Sequence, residues 1–459
     1  MDRIKKFKKK SEKVSFDNKH RQIIKYNMSK YEEAVDENRK SYKDIEIAKD
    51  YVSAIKDEAI KNLDKYLLEF EEKFKSNGGR VIWARDSEEA IKEIKTILGN
   101  NKRLIVKSKS MTTEEIGFNE ALENINKESV ETDLGEFIVQ IAGEPPYHIV
   151  TPAMHKSKED ISELYNEKFN TPENSSPEFL TEYTRKYLRE KFINADVGVT
   201  GANFLVADVG GIALTENEGN ALMSTSFPDT HIVIAGIEKV IPSIENLGII
   251  WPLLAANGTG QRLSAYNSVI TGPGKIDEKD GPGEMIVVLL DNGRTKIYEN
   301  KKQKTALKCI RCGACLNYCP VYKNIGGYTY DAVYTGPIGK VINPHLNISA
   351  NNDHLSFAST LCGKCSEICP VKIELHKLLI YNRKEVIEKT ERAFSEKTIM
   401  KILKITLSKR KFLNFRFLGL KSGLLKIVGG KLWGPRRKFP AFSKKSFSQM
   451  WEERQRNSY

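Results

Sequence analysis

The sequence predicts an α/β domain followed by a small helical domain that is rich in cysteine. Between residues 78 and 300, short apolar runs such as Arg80-Val-Ile-Trp alternate with amphipathic stretches such as Ser87 to Leu98. Strands separated by helices of about 10–15 residues indicate a largely parallel sheet. All seven cysteines lie between residues 309 and 369, where short helices and turns replace this alternation.

Composition divides the chain into four segments. Its 459 residues, 40% of them hydrophobic, suffice for two or three domains of about 100–200 residues each. Residues 1–77 are predicted to form a charged helical arm, because apolar residues recur there every three or four positions. The α/β domain at 78–300, the cysteine-containing domain at 301–390 and a C-terminal tail at 391–459 follow.

The net charge of +13 is concentrated in the tail, where 18 Lys/Arg stand against four Asp/Glu. These basic residues alternate with Leu, Ile and Phe, as in the run from 402 to 418. This amphipathic pattern favours docking on a partner or packing, with an acidic membrane surface and a solvated tail as alternatives. Nucleic acid is an improbable partner, since no nucleic-acid-binding module is recognisable.

The expected location is the cytoplasm, with peripheral contact at the inner membrane face as a further expectation. No run of 18 or more apolar residues occurs, and the basic N-terminus lacks the apolar core of a signal peptide. An odd number of clustered cysteines in such a protein argues for metal rather than for disulfides.

The first cysteine motif, Cys309-x2-Cys312-x2-Cys315-x3-Cys319-Pro, predicts a ligand set for iron–sulfur clusters. Three closely spaced thiolates can bind one [4Fe-4S] cluster, while the fourth, followed by proline, ligates the other cluster in two-cluster ferredoxins. Zinc is the alternative. Its sites commonly use two separated pairs of cysteines around one ion, which four cysteines within eleven residues do not match.

The second motif repeats this spacing with serine at its first position: Ser359-x2-Cys362-x2-Cys365-x3-Cys369-Pro. Exchange of the trailing cysteines assigns Cys309, Cys312, Cys315 and Cys369 to cluster one. It assigns Cys319, Cys362 and Cys365 to cluster two. The fourth iron of cluster two is expected to have an open or weak site. The alternatives are Ser359, His354, His376, water or substrate, or loss of that iron.

The chain resembles the lactate utilization protein B family. Beyond the cysteines, the resemblance covers roughly residues 100–390. It rests on runs such as Ser108-Lys-Ser-Met-Thr-Thr-Glu-Glu-Ile-Gly, Gly143-Glu-Pro-Pro-Tyr-His-Ile-Val, Gly198-Val-Thr-Gly-Ala-Asn-Phe-Leu-Val-Ala-Asp and Leu214-Thr-Glu-Asn-Glu-Gly-Asn-Ala.

The resemblance implies a Lud-type domain, similar in fold to the ribose-phosphate isomerase and coenzyme A transferase group, followed by a helical domain with two [4Fe-4S] clusters. It implies an electron-transfer role in the oxidation of L-lactate to pyruvate. Two companions are implied: a cysteine-rich protein like heterodisulfide reductases and a separate Lud protein. A quinone is a candidate acceptor. The alternatives are a Lud-type domain that is itself catalytic on another hydroxy acid, and a redox-sensing binding protein.

The resemblance to coenzyme A transferases also directs attention to Glu216 and Glu218 as weak catalytic candidates, with helix capping or a turn as the alternative. Arg262 is a third weak catalytic candidate. For an anionic hydroxy acid, the candidate ligands are the cations beside the glycine-rich loops, because ammonium and guanidinium groups bind carboxylates. These candidates are Lys107, Lys109, His155 and Arg262. None of the glycine-rich runs matches a dinucleotide or P-loop fingerprint.

Overall fold

The computed structural model describes residues 3–275, 277–278, 280–347, 351–389, 394–408, 443 and 445–457. The chain forms two compact units, residues 1–385 and 386–459. Among its described residues, the first has ten strands: β1 Arg80–Ala84, β2 Leu104–Lys107, β3 Glu128–Glu131, β4 Val197–Thr200, β5 Phe204–Val206, β6 Gly211–Glu216, β7 Thr230–Gly236, β8 Val240–Ile241, β9 Tyr266–Ile270 and β10 Glu284–Leu290.

Six of these strands form a parallel sheet in the order β1-β10-β7-β4-β2-β3, in which every neighbouring pair is parallel. The central strand β7 is buried along its whole length, as expected for a strand with helices on both faces of its sheet. The predicted α/β class with a parallel sheet is thereby confirmed.

A second sheet of four strands, β8-β5-β6-β9, was not predicted. Its pairing is mixed, since β6 runs antiparallel to β5 and β9, whereas β5 and β8 are parallel. The strands β5 and β8 have only three and two residues, which is too short for a periodic signal in the sequence. Strand β6 of this sheet ends at Glu216, which lines the cavity described in the next section.

The helices of the α/β part cover the parallel sheet. Ser87–Leu98 begins at Asp86, whose carboxylate accepts a hydrogen bond from the Glu89 amide at 2.9 Å. The other helices of this part are Met111–Glu115, Phe118–Glu123, Leu134–Ile141, Lys158–Phe169, Pro177–Asn194, Asn220–Ser226, Leu247–Gly258 and Arg294–Glu299, with 3₁₀ turns at Ile237–Lys239 and Ile244–Asn246.

Four N-terminal helices lie against both the sheets and the cysteine-containing region: Arg3–Ser15, Asn18–Arg39, Ile45–Lys61 and Leu63–Ser76. Lys56, on the third, donates hydrogen bonds to the carbonyl oxygens of Glu238 and Val240 at 2.7 and 3.1 Å. Asp57, one residue further, accepts a hydrogen bond from Lys308 at 2.8 Å. This helix therefore joins the α/β part to the short helical turn Lys304–Lys308, which precedes the first cysteine.

The cysteine-containing region consists of short helices and turns: Lys304–Lys308, Ala314–Asn317, Pro320–Ile325, Tyr328–Tyr330, Gly336–Ile342, Asp353–Phe357, Lys364–Glu367 and Leu375–Lys389. In the second unit, the structure describes the helices Phe394–Ser408 and Phe447–Arg456. Residues 409–442, about half of the predicted basic amphipathic tail, lie outside the described residues. Within the described part of the chain, no helix is both long and apolar enough to cross a membrane.

Candidate metal centre and the adjoining cavity

The seven cysteine side chains form two neighbouring groups, and none of them is in a disulfide. Cys369 lies close enough to Cys309 and Cys312 to interact with them electrostatically. Cys365 interacts in the same way with Cys319 and Cys362. The trailing cysteine of each motif thus lies beside the other motif. This grouping is expected when two clusters share two motifs, although the ligand assignment itself stays a prediction.

The two motifs have the same local backbone conformation. Arg311 and Leu361, which precede the second position of each motif, have φ values of 60° and 57°. Gly313 and Gly363, which follow that position, have φ values of 80° and 83°. Glycine is the residue best suited to this left-handed region. Each glycine then begins a four-residue helix, so the thiols of each motif converge from a tight loop.

Ser359 occupies the position in the second loop that Cys309 has in the first. The Cys309 Sγ accepts a hydrogen bond from the amide of Arg311 at 3.4 Å, and the Ser359 Oγ accepts one from the amide of Leu361 at 3.1 Å. A hydroxyl therefore replaces a thiol in an otherwise matching loop. A hydroxyl oxygen is a harder ligand for iron than thiolate sulfur.

The two candidate histidine ligands have contacts of their own. His376 Nδ1 lies 2.7 Å from the Ser366 hydroxyl, which also accepts a hydrogen bond from the His376 amide. The ring of His354 packs edge-on against Phe7, with 5.4 Å between ring centroids. Neither contact selects one histidine as the fourth ligand of cluster two.

The donor set fits iron–sulfur clusters better than zinc. Backbone amides of Tyr322 and Ile373 donate hydrogen bonds to the sulfurs of Cys319 and Cys369 at 3.5 and 3.4 Å. Burial raises the pKa of the Cys369 thiol to about 11, so this sulfur would be protonated near neutral pH unless a metal bound it. Seven soft sulfurs in two groups exceed the four ligands of a tetrahedral zinc site and suit clusters that are bound by thiolates.

Exposure to solvent differs between the two groups. Cys362 is exposed, whereas Cys319 and Cys365, its neighbours, are buried. In the first group, Cys315 and Cys369 are buried and the others are partly so. The second group therefore reaches the surface at Cys362.

A cavity of about 410 Å³ adjoins the first cysteine group. The cysteine loop contributes Arg311 and Cys312 to its wall, and the α/β part contributes Lys109, Lys239 and Glu218 among others. The helix Leu247–Gly258 ends close to this loop, since a Cβ atom at Gly258 would lie 2.9 Å from the carbonyl oxygen of Cys312. The cavity thus connects the sheet-end loops to the cysteine loop.

Both carboxylate candidates line this cavity, but their contacts differ. The two oxygens of Glu216 accept hydrogen bonds from the amides of Ala221 and Leu222 at 2.6 and 2.9 Å, so this side chain caps a helix. Glu218 accepts only one such bond, from the amide of Leu134 at 3.1 Å. Burial, with a smaller contribution from Asp133, raises the pKa of Glu218 to about 6. Glu218 can therefore exchange a proton near neutral pH.

Of the four predicted anion ligands, the structure brings only Lys109 to the cavity. The ammonium of Lys107 is fully buried and pairs with Glu131 at 2.8 Å. His155 lies 2.8 Å from the carboxylate of Glu144. Arg262 lies outside the wall of this cavity, beside Tyr42 on another part of the surface. Proximity to a glycine-rich loop in the sequence therefore did not show which of these four cations reaches the cavity.

Two cations in the cavity wall were not predicted. Lys239 ends the 3₁₀ turn that follows strand β7. Arg311 lies inside the first motif, donates to Glu238 at 3.3 Å and covers the ring of Tyr334 at 4.5 Å. Two features of the sequence could have identified them. Arg311 is a charged residue between two cysteines of the first motif, and Lys239 is a cation near the carboxyl end of a buried strand, where ligands of open α/β sheets bind.

Comparison with known families agrees with these two parts of the chain. Residues 67–290 match the LUD domain, and residues 305–373 match the 4Fe-4S dicluster domain. A DUF162 family protein from Deinococcus radiodurans, solved as a crystal structure, is 14% identical. It aligns with a TM-score of 0.29 over 50% of this chain and 98% of that one, a likeness too weak to support an argument.

Curated relatives match most of the chain. Lactate utilization protein B of Bacillus licheniformis is 41% identical over 415 residues, which cover 88% of this chain and 87% of that protein. The same-named protein of Bacillus cytotoxicus is 42% identical over 411 residues, 87% of this chain and 86% of that one. That of Oceanobacillus iheyensis is 41% identical over 88% of this chain and 86% of its own. Identity at this level over this much of both proteins shows that the chain belongs to the lactate utilization protein B family.

Proposed function

We propose that this chain carries electrons through two [4Fe-4S] clusters within a complex that oxidises L-lactate to pyruvate. The observation that supports this most is the grouping of seven thiols into two adjacent sets, one of which lies at a cavity wall and the other at the surface. Oxidation of lactate removes two electrons and two protons, and two one-electron carriers can divide that pair.

In this proposal, Cys309, Cys312, Cys315 and Cys369 hold cluster one, and three cysteines hold cluster two: Cys319, Cys362 and Cys365. The fourth site of cluster two is open or is occupied by Ser359. When bound, such a cluster takes up and releases one electron at a time. The chain's own contribution is to bury most of the sulfurs and to direct amide groups at them, which sets how readily reduction occurs.

The positions of the two groups suggest a direction for the electrons. Cys312 lies in the wall of the cavity, and Cys362 is exposed to solvent. Electrons would enter at one of these places and leave at the other. The surface around Cys362 is accordingly the proposed contact for the redox partner.

The partners belong to the proposal and rest on the family resemblance. They are a cysteine-rich protein like heterodisulfide reductases and a separate Lud protein, with a quinone as a candidate final acceptor. A cytoplasmic location, with peripheral contact at the inner membrane face, is proposed in the same way. The similarity of the α/β domain to the ribose-phosphate isomerase and coenzyme A transferase group is likewise part of the proposal.

The cavity favours a second candidate function, in which the LUD domain is itself catalytic on a small hydroxy acid. Glu218 would then act as the proton acceptor, since its pKa of about 6 suits that role near neutral pH. Turnover of lactate or glycolate by the purified single chain with an artificial electron acceptor supports this function. A chain that is inactive alone and active with its partners contradicts it. The redox-sensing alternative requires binding to nucleic acid that depends strongly on salt.

Anaerobic purification, followed by iron and sulfide analysis and EPR spectroscopy, tests the cluster assignment. About eight irons per chain, with [4Fe-4S] signals that appear on reduction with dithionite, are expected. About seven irons, with a three-iron signal in the oxidised protein, would mean that cluster two loses the iron next to Ser359. Replacement of Cys365 by serine should remove the signal of one cluster and leave the other.

Growth on L-lactate tests the physiological assignment. A strain that lacks this gene and every other lactate dehydrogenase should not grow on L-lactate, and the wild-type gene should restore growth. The Cys365→Ser gene should not restore it, because one carrier is missing. Unimpaired growth of the deletion strain would contradict the proposed function.

A further inference from the structure

We propose that the cavity beside Cys312 binds a small hydroxycarboxylate, whose negative charge is held by Lys239 and Arg311. This inference rests on the proposed function, because that function supplies the class of ligand. The location of the site comes from the structure. In this site, the carboxylate of the ligand lies at the wall formed by the first cysteine loop. It does not lie at the predicted cations Lys107, His155 or Arg262.

The first step is the excess of positive charge at this wall. Glu238 interacts electrostatically with both cations, and it already accepts hydrogen bonds from Arg294 at 2.5 Å and from Arg311 at 3.3 Å. Lys239 is 9% exposed, and within the described residues no acidic group lies at ion-pair distance from its ammonium. Arg294 also pairs with Glu115 at 2.8 Å, so two carboxylates serve three cations and, in the described part of the chain, Lys239 is left without an ion-pair partner. A buried cation without a partner is costly.

The second step is the arrangement of charge along the cavity. Lys239 and Arg311 interact with each other and with Cys309. Glu218 interacts instead with Asp133, Lys109 and Glu216. The lining therefore has a cationic part at the cysteine loop and a mainly acidic part at the turn after β6. A ligand with a carboxylate and a hydroxyl group matches both parts, because the hydroxyl can donate a hydrogen bond to Glu218.

The third step concerns the rest of the wall. Apolar side chains of Ile149, Leu214 and Leu254 also line the cavity, among a larger number of polar residues. The volume of about 410 Å³ is in the range of small-molecule sites, whose walls combine apolar side chains with polar groups that orient the ligand. A small organic acid suits such a lining better than a free inorganic anion, which gains nothing from the apolar groups.

A rival explanation is that the two cations only offset the negative charge of the first thiolate group, since both interact with Cys309. Lys308 separates the two explanations. Its ammonium interacts with Cys369 of the same group, but it bonds to Ser53 and Asp57 and does not line the cavity. Removal of this charge affects the thiolate group and leaves the cavity unchanged.

The test uses the full-length, cluster-loaded protein under anaerobic conditions, reduced with dithionite so that the ligand is not oxidised. L-Lactate, propionate and inorganic phosphate are titrated by calorimetry, and the EPR spectrum of the reduced protein is recorded with and without each. We expect saturable binding of L-lactate, weaker binding of propionate, which lacks the hydroxyl group, and no binding of phosphate in the same concentration range. The EPR spectrum should change with lactate, because the ligand lies beside Cys312.

Two variants with equal iron content complete the test. Lys239→Met should weaken lactate binding about tenfold or more, as expected for loss of a charged hydrogen-bond donor. Lys308→Met should bind lactate as the wild type does. The inference is overturned if the wild type shows no saturable lactate binding, if phosphate binds equally well, or if the two variants behave alike. A protein that carries two reducible clusters and supports growth on lactate, yet fails this titration, would refute the cavity site alone.

Discussion

The ammonium of Lys340 lies 3.9 Å from the sulfur of Cys319, and both side chains are buried. Burial lowers the pKa of Lys340, while the neighbouring thiols of Cys319, Cys365 and Cys315 act in the opposite direction. The ammonium also lies 5.3 Å from the centre of the Tyr330 ring. A buried cation therefore lies directly against the second thiol group, where it can stabilise added negative charge.

Replacement of Lys340 by methionine should lower the reduction potential of cluster two by tens of millivolts. Reduction adds negative charge, and the variant lacks the cation that stabilises it. The measurement is an anaerobic redox titration monitored by EPR. Lys308→Met is the matched control, because it removes a cation near Cys369 and should affect cluster one instead. Equal shifts of both clusters in both variants would contradict this assignment.

Replacement of Ser359 by cysteine should give cluster two a fourth thiolate. The Ser359 hydroxyl already has the hydrogen bond that Cys309 has in the matching loop, so the new thiol needs no change of backbone. We expect the variant to keep about eight irons per chain after brief exposure to air, whereas the wild type loses iron. Iron analysis and EPR measure this. Ser359→Ala should be no more stable to air than the wild type, and equal loss from all three proteins would refute the prediction.

Arg294 forms the central buried ion pair of the α/β part. Two of its nitrogens donate to the carboxylate of Glu115 at 2.8 and 2.9 Å, and a third donates to Glu238. All three side chains are at most 2% exposed. Arg294→Met should lower the free energy of unfolding by about 3–5 kcal/mol. The change removes the cation that pairs with buried Glu115 and leaves buried Glu238 with Arg311 alone, at 3.3 Å.

An exposed ion pair provides the control for this prediction. Arg80 lies 3.3 Å from Glu284, and both side chains are about half exposed, at 52% and 45%. Arg80→Met should cost less than about 1 kcal/mol. Urea unfolding under anaerobic conditions measures both variants. If both variants lose the same free energy of unfolding, the buried ion pairs of Arg294 stabilise the fold no more than an exposed ion pair does, which contradicts the prediction.

The sequence predicted the parallel sheet and an iron–sulfur domain built on two cysteine motifs, because both produce strong local patterns. The buried strand β10 is nearly continuous in apolar residues, and the two cysteine motifs have a spacing that few other sites use. The four-stranded sheet escaped prediction because β5 and β8 are too short to show a period. Its pairing depends on contacts between residues that are distant in the chain.

The cavity was only partly predictable for the same reason. Glu216 and Glu218 belong to a run that is recognisable in the sequence. The role of each carboxylate, however, depends on which backbone amide it accepts a hydrogen bond from: Leu222 for Glu216 and Leu134 for Glu218. Lys239 and Arg311 are 72 residues apart in the sequence and meet only in the folded chain. Single-sequence patterns carry no information on such pairs, whereas a charged residue within a cysteine motif is a signal that could have been used.

His231 should make the stability of the fold depend on pH. Its ring is fully buried in β7, and its Nε2 lies 2.9 Å from the hydroxyl of Thr200 on the neighbouring strand. Burial lowers its pKa from 6.5 to about 3. Below pH 6.5 the unfolded chain binds a proton that the folded chain does not, so this contribution to stability is complete above that pH and is lost as the pH falls towards 3.

The maximal slope for one such group is about 1.4 kcal/mol per pH unit. His231→Gln keeps a hydrogen-bonding group near Thr200 and removes the titration. Urea unfolding at pH 7.5 and 5.5 should therefore show a smaller loss of stability in the variant than in the wild type. All other titrating groups are common to both proteins, including those that affect the clusters, so the difference in slope isolates His231. Equal slopes would mean that His231 takes up a proton in the folded chain as readily as in the unfolded chain. That result would contradict a buried, neutral His231 ring.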